Sequence, residues 1–328
     1  MAMGTAEMQH ERRVGEAASP PHHAWCGVER RLDAAALRLR WGACVVGAGL
    51  LLLLLLASAC AGREREPDGR LRVVTSLEIF ADMARNVGGE RVEVTALLPS
   101  GADPHTFELS PGRVAEIAEA DLVFVNGLGL EGNLRDAVDE NAGGPVVELS
   151  AGLPALDSNP HLWLDPRLAA RYVERIRDAL VEQDPAGRLA YEARTEAYLE
   201  QLGKLDQEYA GAVEAIAPER RKLVTFHDAF RYLATRYGLE IVAVVVPSPG
   251  QEPSVRDVAD LTETLRSGSV PAVFKEPQFN AEVLEQAAGE AGVRVLDLLS
   301  DAYAEEVDSY LELMRFDLRQ LQEGLGGD

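Results

Sequence analysis

From residue 71 onward the chain switches between two hydrophobic periods. Residues 71–75 are a short β-branched run, and the next stretch repeats apolar side chains at Ile79, Met83 and Val87 before Gly88 and Gly89. The first pattern predicts a strand and the second a helix, because side chains return to one face every second residue in a strand and about every 3.6 in a helix. Residues 91–98 alternate and stop at Pro99. A helical pattern covers 113–120, an apolar run 122–125, a helix begins at Asn133 and a strand lies at 146–149. Strands alternating with helices of this length predict a parallel sheet covered on both faces.

The middle of the chain is different. Asp165 followed by Pro166 is a helix N-cap with proline at the first helical position, and this helix extends to about Gln183. A second Asp-Pro pair, Asp184 and Pro185, opens a longer helix. Tyr191, Tyr198, Leu202, Leu205, Tyr209, Ala212 and Ile216 form one apolar stripe along it, and Pro218 stops it. A helix over residues 185–216 spans about 48 Å at the standard rise. Gly203 and Gly211 in its interior favour a brace within one molecule over a coiled coil.

Beyond it the alternation resumes, with strands at 223–226, 241–246, 272–274 and 294–296. Helices run through Phe230 and Tyr237, from Val255, from Ala281, and through Tyr310, Met314 and Leu318. The expected fold class is α/β: two Rossmann-like lobes with parallel sheets joined by a long rigid helix. The expected divisions are a leader at 1–59, a linker at 60–70, an N-terminal lobe at 71–164, connecting helices at 165–217 and a C-terminal lobe at 218–328.

Residues 42–59 carry no charge, follow Arg38 and Arg40, and end Ala57-Ser58-Ala59-Cys60. This reads as an export signal whose small residues before Cys60 resemble a bacterial lipoprotein box, with Cys60 lipidated. The departure is Ala57 three places before Cys60, where Leu56 stands one place too early. An uncleaved signal anchor is the alternative, since about 18 uncharged residues just span a bilayer. Either way the rest of the chain lies on the outer face of the cytoplasmic membrane, at the cell surface or in the periplasm. Cys26 and Cys44 belong to the leader, so no internal disulfide forms after Cys60. The formal net charge of −22 argues against nucleic acid as a partner; its ordinary role is to keep the chain soluble, the competing reading being a field that draws cations in, weakly at physiological salt.

Of six His, His10, His22 and His23 lie in the leader, leaving His105, His161 and His227. His105 follows Gly101-Ala102-Asp103-Pro104 after the strand ending at Leu98, and His161 is held by Pro160 in a stiff loop. His227 and Asp297 each directly follow a strand. Loops at the carboxyl ends of parallel strands share one edge, so the common location is the cleft between lobes. A lone His among apolar residues is ordinarily a core side chain. Three that converge with a carboxylate complete a tetrahedral shell for Zn²⁺. A catalytic zinc keeps a position open for water, so a complete set binds and does not turn over substrate; no enzyme is expected.

Residues 73–76, Gly101-Ala102-Asp103-Pro104-His105-Thr106-Phe107-Glu108, residues 120–127, Asn159-Pro160-His161-Leu162-Trp163-Leu164-Asp165-Pro166, Phe226-His227-Asp228-Ala229-Phe230 and Phe274-Lys275-Glu276-Pro277-Gln278-Phe279 carry a resemblance. Over residues 71–321 the chain resembles the metal-binding solute-binding proteins of zinc and manganese ABC importers, of the ZnuA and TroA types. The resemblance implies metal in the cleft, delivery to an ABC permease with its ATPase, and a monomer anchored to the membrane by lipid or signal. It implies His105, His161, His227 and Asp297 as ligands, with Asp301 of the same loop as the alternative carboxylate. Some members carry a long His-rich loop before the second ligand; residues 151–158 here contain no His. His227 stands where manganese-type members often have Glu, which favours Zn²⁺ over Mn²⁺, as does the affinity of imidazole for zinc. Glu276 is either an acceptor fixing an imidazole tautomer beside the site or a surface carboxylate before a proline turn.

Three other readings compete. Gly127-Leu128-Gly129-Leu130-Glu131-Gly132 satisfies GxGxxG between a strand and a helix, with Glu148 ending the next strand, which is most of a dinucleotide fingerprint. It would be the third strand of its lobe, and it explains none of the His. An exported metal-dependent hydrolase predicts turnover lost on chelation. A surface adhesin predicts binding to a macromolecule without metal, and that role is compatible with metal binding.

Overall fold

The computed structural model describes residues 69–327, apart from Ser100, residues 247–249, Glu252 and residues 268–269. The leader, Cys60 and the linker up to residue 68 lie outside the described residues. Among the described residues no helix is long and apolar enough to cross a membrane.

The first half builds β1 (Leu71–Thr75), α1 (Glu78–Gly88), β2 (Val92–Ala96), α2 (Pro111–Glu119), β3 (Leu122–Val125), α3 (Gly132–Asn141) and β4 (Val146–Glu148). Its strands are all parallel, in the order β2-β1-β3-β4. The unbroken apolar run Leu-Val-Phe-Val of β3 is buried at every position, as a strand covered on both faces requires. On α1 the helical spacing buries Ile79, Phe80, Met83 and Val87 while Arg85 and Asn86 face solvent.

The second half repeats the plan with β5 (Lys222–His227), α6 (Arg231–Tyr237), β6 (Glu240–Val246), α7 (Val255–Arg266), β7 (Ala272–Lys275), α8 (Glu282–Ala291) and β8 (Arg294–Asp297). Its order, β6-β5-β7-β8, is that of the first sheet. A last helix, α9 (Tyr310–Leu325), follows.

Between the halves run a 3-10 turn (Leu162–Leu164), α4 (Pro166–Gln183) and α5 (Arg188–Glu214). Asp165 caps α4 as its sequence predicts, accepting from Arg167 N at 2.8 Å. The long helix differs in detail from the expectation. A 3-10 turn at Pro185–Gly187 precedes it, and Arg91, Asp184 and Tyr191 crowd Gly187 to within 2.6 Å of where a Cβ would sit, which leaves room only for glycine there. The regular helix has 27 residues, about 40 Å, and near its end Val213 is buried in the core with the half-buried Ala212 packed against it.

α5 grips both halves. Tyr198 donates to Asp82 of α1 at 3.3 Å, and Tyr209 donates to the Met314 carbonyl of α9 at 2.6 Å. The largest hydrophobic cluster accordingly runs without interruption from Phe80 of α1 through Trp163, Tyr172 and Tyr209 to Tyr310 and Leu321 of α9. Smaller clusters fill the outer face of each sheet, around Val123 and Ile117 in one and Val273 and Leu284 in the other. One shared core therefore joins the lobes, and a large relative rotation would break it.

Candidate metal centre

A sheet of order 2-1-3-4 has its switch point between the first and third strands, where the connecting loops part and leave a crevice. In the first lobe Asn126, just past β3, stands at this point. Its Nδ2 donates to the Pro160 carbonyl at 2.9 Å and its Oδ1 accepts from Tyr172 at 2.6 Å. This anchors the loop that carries His161. Asn159 Oδ1 accepts from the His161 backbone N–H at 3.1 Å and faces Nδ1 at 3.0 Å. An amide oxygen only accepts, so Nδ1 carries the proton and Nε2 is left with a lone pair.

His105 sits on a turn built by Asp103, whose Oδ1 accepts from the His105 N–H at 2.9 Å and whose Oδ2 accepts from Thr106 Oγ1 at 2.7 Å. His227 is the last residue of β5, at the switch point of the second sheet. Glu276, the residue after β7, is 1 % exposed, and its Oε2 lies 2.6 Å from His227 Nδ1. A carboxylate there selects the tautomer with its proton on Nδ1 and turns Nε2 inward. Ser300 donates its hydroxyl to the other oxygen of Glu276.

Asp301 arrives on the loop after β8. That loop is pinned by Leu298 N to the Lys275 carbonyl at 2.8 Å, by Leu299 N to Asp317 Oδ1 at 2.8 Å, and by Trp163 Nε1 to the Ser300 carbonyl at 2.9 Å. The last of these joins the His161 segment to the Asp301 segment directly.

The result is one cluster. A ring nitrogen from each of His105, His161 and His227 and a carboxylate oxygen of Asp301 all lie within 4.8 Å of one another. His161 Nε2 is 3.2 Å from His227 Nε2 and 3.4 Å from Asp301 Oδ1, while His227 Nε2 and His105 Nε2 stand 3.7 and 3.9 Å from Asp301 Oδ2. Ligands at the usual Zn–N distance in a tetrahedron are about 3.3 Å apart, so the set fits an ion of that size. Two Nε2 atoms this close need a proton or a metal ion between them, since their lone pairs otherwise face each other. Both Asp301 oxygens and His105 Nε2 are buried without a well-formed hydrogen bond. Leaving such groups unsatisfied costs about 1–3 kcal/mol each, which a bound cation would recover.

The electrostatics point the same way. Burial pushes the His105 pKa down to about 4, against the pull of Asp301, so its ring is neutral at pH 7. Burial acts likewise on His227, but the Glu276 carboxylate at Nδ1, with Asp301 beyond, outweighs it and raises the pKa to about 9. Burial alone would raise Asp301; the facing His161, His227 and His105 hold it well below the ordinary carboxylate range. The pocket thus combines an ionised carboxylate with one imidazole held neutral, His105, and one held protonated, His227.

Asp297, the carboxylate placed first by sequence, is not in the cluster; Asp301 takes that position. The reason is register: Asp297 is still in the ladder, paired with Lys275, and the chain must run four residues further to clear the sheet edge. Sequence reasoning also missed Asn159 and Ser300. Asn159 was legible as an Asx acceptor two residues before His161. Ser300 had no local signal, since its partners Glu276 and Trp163 lie 24 and 137 residues away.

The GxGxxG loop has a different use. The Glu131 carboxylate accepts from the backbone N–H groups of Asn126 and Gly127 at 2.5 and 3.0 Å and from Ser76 Oγ at 2.8 Å. The amides that would cradle a pyrophosphate are taken by the loop's own acid. Glu148 packs where a Cβ on Gly127 would lie, which closes the approach further.

Comparison with known proteins points independently to metal binding. Over 292 residues the chain is 32% identical to the manganese-binding lipoprotein MntA of Halalkalibacterium halodurans, covering 84% of this chain and 96% of that protein. It is 27% identical to the iron ABC transporter substrate-binding lipoprotein MtsA of Streptococcus pyogenes, covering 86% and 97%. Among solved structures, the periplasmic zinc-binding protein TroA of Treponema pallidum superposes with a TM-score of 0.73 at 29% identity, covering 79% of this chain and all of that one. The family model described as ZnuA, zinc-uptake complex component A, periplasmic, matches residues 73–324. The chain therefore belongs to this family of metal ABC transporter substrate-binding proteins.

Proposed function

We propose that the protein captures Zn²⁺ outside the cytoplasmic membrane and hands it to an ABC permease with its ATPase for uptake. The ion is held by His105, His161, His227 and Asp301, and Cys60 carries the lipid that anchors the chain. The observation that supports this reading most strongly is the buried convergence of three imidazoles and one carboxylate from four separate loops. Three imidazoles favour zinc over the more oxygen-seeking manganese. Four protein donors leave no position for an activated water, so the site holds cargo and does not catalyse. The shared core between the lobes supports release by small loop movements rather than wide domain opening.

Competition titration of the metal-stripped protein with Zn²⁺ and Mn²⁺, beside His161→Ala, tests the reading. One tight zinc site, strongly weakened by the substitution and poorly displaced by manganese, is the expected result. Preference for manganese would change the cargo while keeping the importer role; absence of stoichiometric binding of either ion would overturn the metal reading.

A further inference from the structure

A crevice of about 200 Å³ over the cluster is lined by His105, His161 and His227 together with Asp157, Asp228 and Arg231. The Arg231 guanidinium spans this mouth. Its Nε donates to Asp228 Oδ1 at 2.8 Å and its Nη1 donates to Asp157 Oδ2 at 3.0 Å. Asp228 follows His227, and Asp157 lies four residues before His161. One side chain thus bridges the two segments that deliver those imidazoles.

The two ends of the bridge differ. The Asp228 side chain is 16% exposed, whereas Asp157 is 88% exposed, so the outer ion pair is the one that water and salt open readily. Beneath it the same segments are tied by neutral bonds: Tyr232 donates to the Asn159 carbonyl at 2.6 Å and accepts from Leu156 N at 3.0 Å. Asp157 and Ser158 adopt φ of +50° and +61°, a conformation that non-glycine residues avoid unless held.

We infer that Arg231 is the gate of the metal centre. Paired with Asp157 it places a positive charge and a physical bar in the path of a divalent cation. Swung away from Asp157, it opens the path without moving a strand. The bar lies in the path and not among the ligands, so it changes the barrier for arrival and departure together and leaves the bound state nearly unaltered. The inference rests on the metal-cargo reading above.

Stopped-flow measurement of Zn²⁺ uptake, and of Zn²⁺ release to excess chelator, on the full chain in wild-type, Asp157→Asn and Arg231→Gln forms is the test. An exposed ion pair of this kind corresponds to roughly twofold to fivefold, so each variant should raise both rates by that factor while their ratio, Kd, stays close to wild type. Unchanged rates in both variants would overturn the gate. Faster release with Kd weakened in proportion would also overturn it, because Arg231 and Asp157 would then only support the His161 loop. A wild-type protein that binds no zinc would instead remove the metal reading, and the gate with it.

Discussion

The two lobes share a strand order and place a buried glutamate at the same kind of switch point, yet they use it differently. In the first lobe Glu131, 2 % exposed, accepts from Ser76 and from two backbone amides. In the second lobe Glu276, 1 % exposed, accepts from Ser300, from the His227 backbone N–H at 3.3 Å and from the His227 ring. Both acids satisfy a hydroxyl and local backbone. Only the second also meets a titratable side chain, and that exchange of an amide for an imidazole turns a structural plug into a group that orients one ring of the histidine cluster. The crevice is thus filled by a closed turn in one lobe and faced by the imidazole that ends the central strand in the other.

The comparison is tested most severely at the carboxylate the second lobe adds. Asp301→Ala should lower zinc affinity by more than about a hundredfold, beyond the 10–100-fold typical of losing a ligand's hydrogen-bond partner, while Asp297→Ala should leave affinity near wild type. Equal losses in calorimetric titrations of the two variants would refute the assignment of Asp301.

Next in size is the pair of glutamates. Glu276→Gln should weaken zinc binding by about 10–100-fold, because His227 loses the acceptor that fixes its tautomer. Glu131→Gln should lower the thermal midpoint, with a cost of about 1–3 kcal/mol for buried donors left poorly paired, and should hardly change zinc affinity. If both variants behaved alike in either measurement, the division between plug and orienting group would fail.

The pH dependence comes from the second lobe. His227 holds its proton up to about pH 9, so zinc must displace that proton at neutral pH. As pH falls below this value, apparent affinity should drop by about tenfold per unit for one displaced proton, and rise as pH increases. Removing the carboxylate that raises the pKa should flatten this slope in Glu276→Gln between pH 7 and 9. An affinity that does not vary with pH in the wild-type protein would contradict ligation by His227.

The smallest difference concerns the two hydroxyls. Ser76→Ala and Ser300→Ala each remove a donor worth about 1 kcal/mol, so both should lower the melting temperature slightly. Only Ser300→Ala should also weaken zinc binding, by a few fold, since Ser300 steadies Glu276 and precedes Asp301.

The strands, most helix limits and the Asp165 cap were legible in the chain itself, since each depends on neighbours within a few residues: a period of two, a period of 3.6, or a side chain reaching the next amide. The three histidines were legible for the same reason, each standing beside turn or strand-end residues. The fourth member of the cluster was not. Asp297 follows the apolar run and looks like the strand end, but pairing with β7 keeps it in the ladder, and that pairing depends on a strand about twenty residues away. Likewise, nothing near Ser300 announces that Trp163 and Glu276 will meet it, or near Arg231 that Asp157 will.

Local periodicity and capping by themselves determined an α/β chain with two similar halves, a long helix between them, and three imidazoles at loop positions. Only the tertiary structure decided which carboxylate faces them, which atoms carry their protons, and that the glycine-rich loop is filled by its own acid. Those outcomes depend on donors and acceptors brought within about 3 Å by packing of segments far apart in sequence, a distance that no local pattern encodes.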